Sequence, residues 1–400
     1  MLFFVALAAV EIIFHAKTFA IARPAQNLDP PFYVGCQNPV LNGADRANAT
    51  FVMLARNRDI GGALSSIRSV QDQFNHNFHY PWVFLNDEPW TENFVTQVSD
   101  LIAEYDANAI PVFEVIPENM WGYPDWIDRD KARSSMDNMK AQDVPYAGKE
   151  SYHHMCRFNS GFFFDHHALL PYKWYWRVEP SISFTCAITY DPFVEMERHD
   201  KRYGYTVALW EVGKSVPSLF RKIADWKASR SISTTTLWTA MMQPSYLPWP
   251  LRSLAAWLPY HDSSGDSWNL CHFWSNFEIA DMDLFRSSEY RDLFHYLDQD
   301  GGFYYERWGD APVHSLAAAL LLRPDQVHHF AEFGYTHSPF QYCPWTPTPD
   351  ELQHGGLVPS KADRKGGHKN AKYLGCNCKC DSKAEVIRPT CFNRLRQTVM

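Results

Sequence analysis

From residue 51 onward the chain repeats one local pattern: a short apolar run ending in polar residues, followed by a stretch with helical spacing. Phe51-Val-Met-Leu-Ala55 reads as a buried strand and ends in Arg56-Asn-Arg-Asp59. Ile60 to Phe74 then places Leu64, Ile67, Val70 and Phe74 on one helical face. Trp82-Val-Phe-Leu85 is a second strand, ending in Asn86-Asp87, and Ile110-Pro-Val-Phe113 is a third. Tyr175-Trp-Arg-Val178 and Tyr205-Thr-Val-Ala-Leu209 are two more. Parallel strands need a crossover between them, so this rhythm predicts a mainly parallel sheet covered by helices. Such sheets bind ligands at the carboxyl ends of their strands. Arg56 to Asp59, Asn86-Asp87 and Glu179 are therefore the first candidates for a site.

Two later helices carry end signals. Asp283 to Asp298 places Leu284, Tyr290, Leu293, Phe294 and Leu297 near one face, and Gly301-Gly302 stops it. Asp310-Ala-Pro312 before Val313 to Leu322 reads as an N-cap, a first-turn proline and an apolar helix. Hydrophobic residues are 46% of the 400, charged residues 20%, and the net charge is -8, so the chain can bury a core and shows no basic face for nucleic acid. The aromatic surplus of 15 Trp, 20 Tyr and 27 Phe suits sugar clefts but is read first as core.

The compartment is read from the ends. An apolar run from Met1 to Phe14, interrupted by Glu11, is too short for an ordinary span, which suggests that residues 1–16 are a signal peptide or shortened signal-anchor. Residues 17–46 carry Pro24, Pro30 and Pro31 without periodicity and read as a stem. Asn48-Ala-Thr50 is a glycosylation sequon, and with the cysteines it points to the secretory pathway. Nine cysteines leave at least one without an intrachain partner. Cys376-x-Cys-x-Cys380 is spaced too tightly for the usual zinc pairs and reads as a disulfide-tied tail. Residues 344–373 read as a surface loop. The pairs His153-His154, His166-His167 and His328-His329 read as one packed and one solvated imidazole each, since neighbours point different ways.

Several chemistries drop out. There is no G-x-G-x-x-G, no H-E-x-x-H and no G-x-S-x-G, and Gly213-Lys-Ser215 lacks the P-loop's first glycine because Ala208 stands there.

Four dense stretches remain: Ser151-Tyr-His-His-Met-Cys156 running on to Phe164, Trp174-Tyr-Trp-Arg-Val-Glu-Pro180, Asn269 to Asp281 around Ser275-Asn-Phe-Glu-Ile279, and Gly301 to Ser315 around Trp308-Gly-Asp-Ala-Pro312. Together with Ala49 to Asn57 and Tyr80 to Asp87 they resemble the fungal Golgi α-1,2-mannosyltransferases. The resemblance covers roughly residues 47 to 343 plus the cysteine tail. It implies a GT-A-like nucleotide-sugar transferase fold, α/β, with a mixed, mostly parallel sheet in a single large domain at residues 47–343. It also implies GDP-mannose as donor, a mannosylated glycan as acceptor, Mn²⁺ as cofactor and retention of the α configuration. By motif, Glu179 and His337 fall at the metal ligands, Glu278 at the proposed nucleophile, Tyr152 at the donor site and Asp310 near the reaction centre. The expected setting is a type II protein of the Golgi membrane, held by its N-terminal anchor with the catalytic domain in the lumen.

The assignment makes chemical sense. A departing diphosphate carries charge that a divalent ion neutralises, and Mn²⁺ accepts one carboxylate and one imidazole. Retention benefits from a carboxylate beneath the oxocarbenium-like carbon, and Glu278 sits among Phe273, Trp274, Phe277 and Ile279, where desolvation can tune it. Arg56 is placed to meet the diphosphate or nucleotide. Other readings stay open: a surface carboxylate for Glu179, a helix N-cap for Asp310, a plain surface arginine for Arg56. Residues 229–260, rich in Ser, Thr, Pro and Trp, do not resemble the family and read as an atypical insertion, from a splice-boundary error or a lineage-specific loop. The competing functions are an inactive sugar-binding relative whose cleft this segment disturbs, and a glycoside hydrolase using Glu278 and Asp310.

Overall fold

The computed structural model describes residues 2–18, 29–39, 46–248, 251–344, 373–381, 383–387 and 390–395. All but the two end residues of the surface loop expected at 344–373, and over half of the expected stem, lie outside them. A seven-stranded sheet forms the centre. Its order is Val327–His329, Tyr203–Tyr205, Phe277–Asp281, Trp174–Val178, Ala49–Leu54, Trp82–Asn86 and Val112–Val115. The last four strands are mutually parallel, whereas Phe277–Asp281 runs antiparallel to both neighbours. The mixed, mostly parallel sheet is as expected.

Aromatic side chains fill the space between sheet and helices. Trp176 meets Phe51, Phe74, Phe184, Phe193, Phe277 and Phe333, with ring centroids 5.3–6.0 Å apart. Trp82, Trp174, Trp176, Trp226 and Trp308 are fully buried, so most of the aromatic surplus is core.

Element boundaries moved where a local signal competed with pairing. The third strand starts at Val112 because Pro111 has no N–H for the ladder, and Ile110 is exposed. The run Tyr205 to Leu209 is not one strand: after Tyr205 the chain leaves the sheet, and Ala208–Trp210 pairs with Cys271–Phe273. The helix expected from Asp283 breaks at Ser287, whose extended backbone and hydroxyl cap a second helix, Ser288–Asp300. Gly301 ends that helix at φ 79°, as its position predicted. The helix Asp310–Leu321 is capped by Gly309, not by Asp310, whose carboxylate is taken by Arg177 and Ser275.

Residues 229–260 correct a larger expectation. Thr236–Met241 is a helix with Leu237, Trp238, Ala240 and Met241 buried. Thr235 caps it and also donates to the Ala319 carbonyl at 2.6 Å. Trp238 stacks on Phe220 at 5.3 Å. An apolar helix seated in the core cannot be removed at no cost, so this part is not a dispensable insertion. Trp238→Ala is expected to destabilise by about 3–5 kcal/mol, the usual cost of truncating a buried aromatic. A shift in thermal midpoint measures it, and an unchanged midpoint would show the helix to be a passenger.

The tail reading holds. Cys376, Cys378 and Cys380 pair with Cys36, Cys186 and Cys343, and Cys391 pairs with Cys271. Cys156 is the odd thiol, buried without a disulfide. Of the histidine pairs, only His166-His167 follows the expected split; both members of the other two are buried. Leu2–Thr18 is a helix, held by His15 to Asp266 at 2.7 Å and by Glu11 to Arg252. Among the described residues no helix is long and apolar enough to cross a membrane.

One buried acid makes stability depend on pH. Burial pushes the Glu332 carboxyl up to about 8; it accepts from Tyr190, and its other oxygen has no partner among the described residues. A raised carboxyl stabilises the fold fully below its unfolded value near 4.5, and that contribution is lost as pH rises towards about 8. Glu332→Gln, which cannot ionise, is expected to flatten the fall of thermal midpoint between those pH values. An unchanged pH slope in the variant would remove Glu332 as the cause.

Candidate active site

The carboxyl ends of the parallel strands open into a cavity of about 560 Å³. Arg56, Arg58 and Asp59 line it from beyond the first strand, Asn86 and Asp87 from the second, and Glu179 from the fourth. These are the polar strand ends singled out in the sequence, for the reason given there.

Backbone geometry brings Glu179 and His337 together. After Glu179 the chain turns through Pro180 and Ser181, with Ser181 at φ 69°, into the Ile182–Phe184 strand. Ser66 donates to the Glu179 carbonyl at 2.8 Å and pins this corner to the Ile60–Val70 helix. Gly62 lets the helix approach: a Cβ there would lie 2.5 Å from the Ser181 hydroxyl. Tyr335–His337 pairs antiparallel with Ile182–Phe184, register His337 opposite Ile182, which returns the imidazole to the carboxylate. His337 Nε2 lies 3.8 Å from Glu179 Oε2, and Trp274 meets the imidazole edge to face. His337 Nδ1 is buried without a partner among the described residues.

Arg177, two residues before Glu179 and on the same strand face, is the cation that holds the Glu179 carboxylate. It donates to Glu179 at 2.5 Å and to Asp310. Burial works against its charge, but Asp310 and Glu179 outweigh that and raise it. Burial alone would raise Asp310; Arg177, His314 and the Ser275 hydroxyl outweigh it and hold the carboxyl below its usual range.

Tyr152 lines the cavity, stacks on Tyr146 at 4.9 Å, and accepts from Arg307 at 3.2 Å. Arg56 lines it too, with its guanidinium held by Asp59 at 2.8 Å. Glu278 and Asp310 are not among the lining residues. Glu278 was expected to face the donor. Its strand, Phe277–Asp281, lies one step further from the cavity, and His314 of the Asp310–Leu321 helix covers it. It accepts from Tyr175, Tyr203 and His314, the last at 3.0 Å. Burial pushes its carboxyl up and His314 opposes. Tyr175 and His314 line the cavity themselves, so they stand between Glu278 and any ligand. A hydrolase needs its carboxylate pair facing the substrate, and this pair does not.

Arg177, Tyr175 and His314 escaped the sequence reading. Strand alternation from Glu179 back through Arg177 to Tyr175 marks two of them. Nothing local marks His314, which reads as one more residue of an apolar helix.

An open sheet with its cavity at the strand ends, one carboxylate–imidazole pair and flanking arginines suits an enzyme that binds an anionic ligand such as a nucleotide sugar. The chain belongs to the glycolipid 2-alpha-mannosyltransferase family, whose profile matches residues 19–353. It is 38% identical over 411 residues to O-glycoside alpha-1,2-mannosyltransferase homolog 4 of Schizosaccharomyces pombe, covering 98% of this chain and 86% of that one. It is 43% identical over 303 residues to glycolipid 2-alpha-mannosyltransferase of Saccharomyces cerevisiae, covering 76% and 63%. Among solved structures it is similar to core-mannan synthase A from Aspergillus fumigatus in its Mn/GDP form, with TM-score 0.72 and 32% identity over 93% of this chain and 91% of that one. The GDP complex of Ktr4p from S. cerevisiae gives TM-score 0.73 and 30% identity over 98% and 92%. The chain is a glycosyltransferase of the mannosyltransferase type.

Proposed function

We propose that the chain transfers mannose from GDP-mannose to the 2-hydroxyl of a mannose on N- or O-linked glycans, with retention of the α configuration. The observation that carries this is the meeting of Glu179 and His337, from distant segments, 3.8 Å apart at the strand ends. The Glu179 carboxylate and His337 Nε2, 3.8 Å apart, are a carboxylate and an imidazole that fit Mn²⁺, and no third acidic, histidine or cysteine side chain joins them among the described residues. The remaining positions suit diphosphate oxygens and water, as in other nucleotide sites. Held by Glu179 and His337, such an ion would supply Lewis acidity to offset the charge of the leaving diphosphate.

Arg56 and Arg58 are placed to meet phosphate charge, and Tyr152 with its Tyr146 neighbour supports the donor. Arg177 bridges Glu179 and Asp310 and offsets the charge of both carboxylates. Glu278 supports positive charge at the reacting carbon through Tyr175 and His314, with Asp310 adding to the same field. The helix Leu2–Thr18, apolar and exposed along most of its length, supports attachment to the Golgi membrane with the catalytic domain in the lumen. The four disulfides agree with an oxidising compartment.

The test is transfer of labelled mannose from GDP-mannose to methyl α-mannoside. Activity with Mn²⁺ that EDTA abolishes is expected. Transfer that is insensitive to EDTA, or none with Mn²⁺ present, overturns the reading.

A further inference from the structure

The helix Leu2–Thr18 has its polarity turned inside out for a helix in water. Of its described side chains, those of Leu2 to His15, the only polar ones are Glu11 and His15. With Ala8 and Ile12 they form the partly buried stripe at helical spacing. Glu11 accepts from Arg252, and His15 meets Asp266 at 2.7 Å. The outward residues are all apolar, and Leu2, Phe3, Phe4, Val10 and Ile13 are 57–88% exposed. A surface helix in water does the reverse.

The segment that holds this helix is apolar on its outer side too. Asp266 also accepts from the Ser245 N–H at 2.8 Å, which sets the stretch 246–258 beside the helix. Leu251–Trp257 is a 3₁₀ helix, in which residues three apart eclipse. Arg252 and Ala255 share the inner line, Arg252 on Glu11 and Ala255 buried. Leu251, Leu254 and Trp257 share the outer line and are 49%, 63% and 90% exposed. Tyr246 and Leu258 extend it, both exposed.

An apolar face of this extent marks contact with another apolar body. Protein interfaces carry about one hydrogen bond per 100–200 Å². The outward residues of the helix offer no side-chain donor or acceptor, so a second copy would gain none there, whereas hydrocarbon needs none. Arg252, the only charged residue of 246–258, is held by Glu11. Tyr246 and Trp257 each join an apolar ring to one polar atom, which suits the headgroup level of a bilayer.

We propose that residues 246–258 are a membrane-contact surface which, beside the outer face of Leu2–Thr18, seats the catalytic domain on lipid instead of leaving it on a free tether. That the lipid is a Golgi membrane rests on the proposed function, whereas the lipid-facing surface does not.

The experiment places a nitroxide on the full-length protein through Leu254→Cys or, as a control outside the patch, Ile110→Cys, where the native side chain is 84% exposed. Cys156 is buried, so the new thiol is the one labelled. With phosphatidylcholine vesicles the label at 254 is expected to become more accessible to oxygen and less accessible to a nickel chelate, with the label at 110 unchanged. Equal changes at both positions, or none at 254, overturn the surface. Dipolar broadening at 254 without vesicles also overturns it, in favour of a second copy. Leu254→Ser with Trp257→Ser is expected to weaken vesicle partitioning by about tenfold, since two apolar side chains no longer enter the bilayer. Unchanged partitioning overturns the proposal. Transfer to methyl α-mannoside in solution is expected to be normal in this double variant. Partitioning is read without donor, so absence of transfer in the parent protein would count against the mannosyltransferase reading alone.

Discussion

Glu278→Gln is expected to lower turnover by about 10²- to 10³-fold, the range seen when one group that stabilises transition-state charge is removed. GDP affinity is expected to stay within about a factor of two, because that charge exists only in the transition state. Glu278 is fully buried and accepts from two tyrosines and a histidine. The substitution keeps shape and removes the carboxylate but sets an amide N–H₂ against a tyrosine or His314, so the thermal midpoint of the variant is measured alongside to separate lost hydrogen bonding from lost charge. Tyr175→Phe and His314→Gln offer a further separation. If Glu278 acts through them, each should lower turnover with little change in donor affinity. If Glu278→Gln turns over near the normal rate, Asp310 becomes the better account, since its carboxyl is held ionised beside Arg177.

The second large effect falls on donor binding. Glu179→Ala and His337→Ala are each expected to remove Mn²⁺-dependent GDP affinity by more than the roughly 10- to 100-fold that losing an outer partner of a metal ligand costs. The thermal midpoint should hold, because both side chains sit partly exposed at strand ends and not in the core. Removing Glu179 also frees one arm of Arg177, while Asp310 keeps the other. Calorimetric titration of GDP with and without Mn²⁺ reads the effect directly. Mn²⁺-dependent affinity that survives in either variant would exclude that residue as a ligand.

Much of the site was legible before any coordinates, and for one reason. The carboxyl end of a parallel strand is where backbone leaves the core, so a polar residue there faces an opening. Arg56, Asp59, Asn86, Asp87 and Glu179 all follow this rule and all line the cavity. His337 follows no such local rule. Its place came from family resemblance, and the structure explains it by the antiparallel register that sets it against Ile182. Glu278 shows the limit from the other side. Its motif was clear, yet whether it faced the ligand depended on the strand order and on the helix bearing His314.

The segment 229–260 failed for a related reason. Its composition looked unlike a core, but four of six residues in Thr236–Met241 are buried against elements distant in sequence, including the Asp310–Leu321 helix. The apolar cluster Leu237, Trp238, Ala240 and Met241 was the usable signal, whereas Trp257 in the same segment is exposed, so composition alone could not separate the two. The Asp310 N-cap failed because a cap is a local solution, and Arg177 from another strand outbid it.

By itself, then, the sequence determined what short-range chemistry controls: the strand runs, the Gly301 stop, the cysteine-bridged tail and the polar strand ends. Only the tertiary structure decided which groups share a cavity and which stand one layer behind it. Arg177 with Asp310 and Glu278 with His314 are set by how helices cover the sheet. Burial and pairing between residues far apart in the chain arise from that packing, and no local period encodes it.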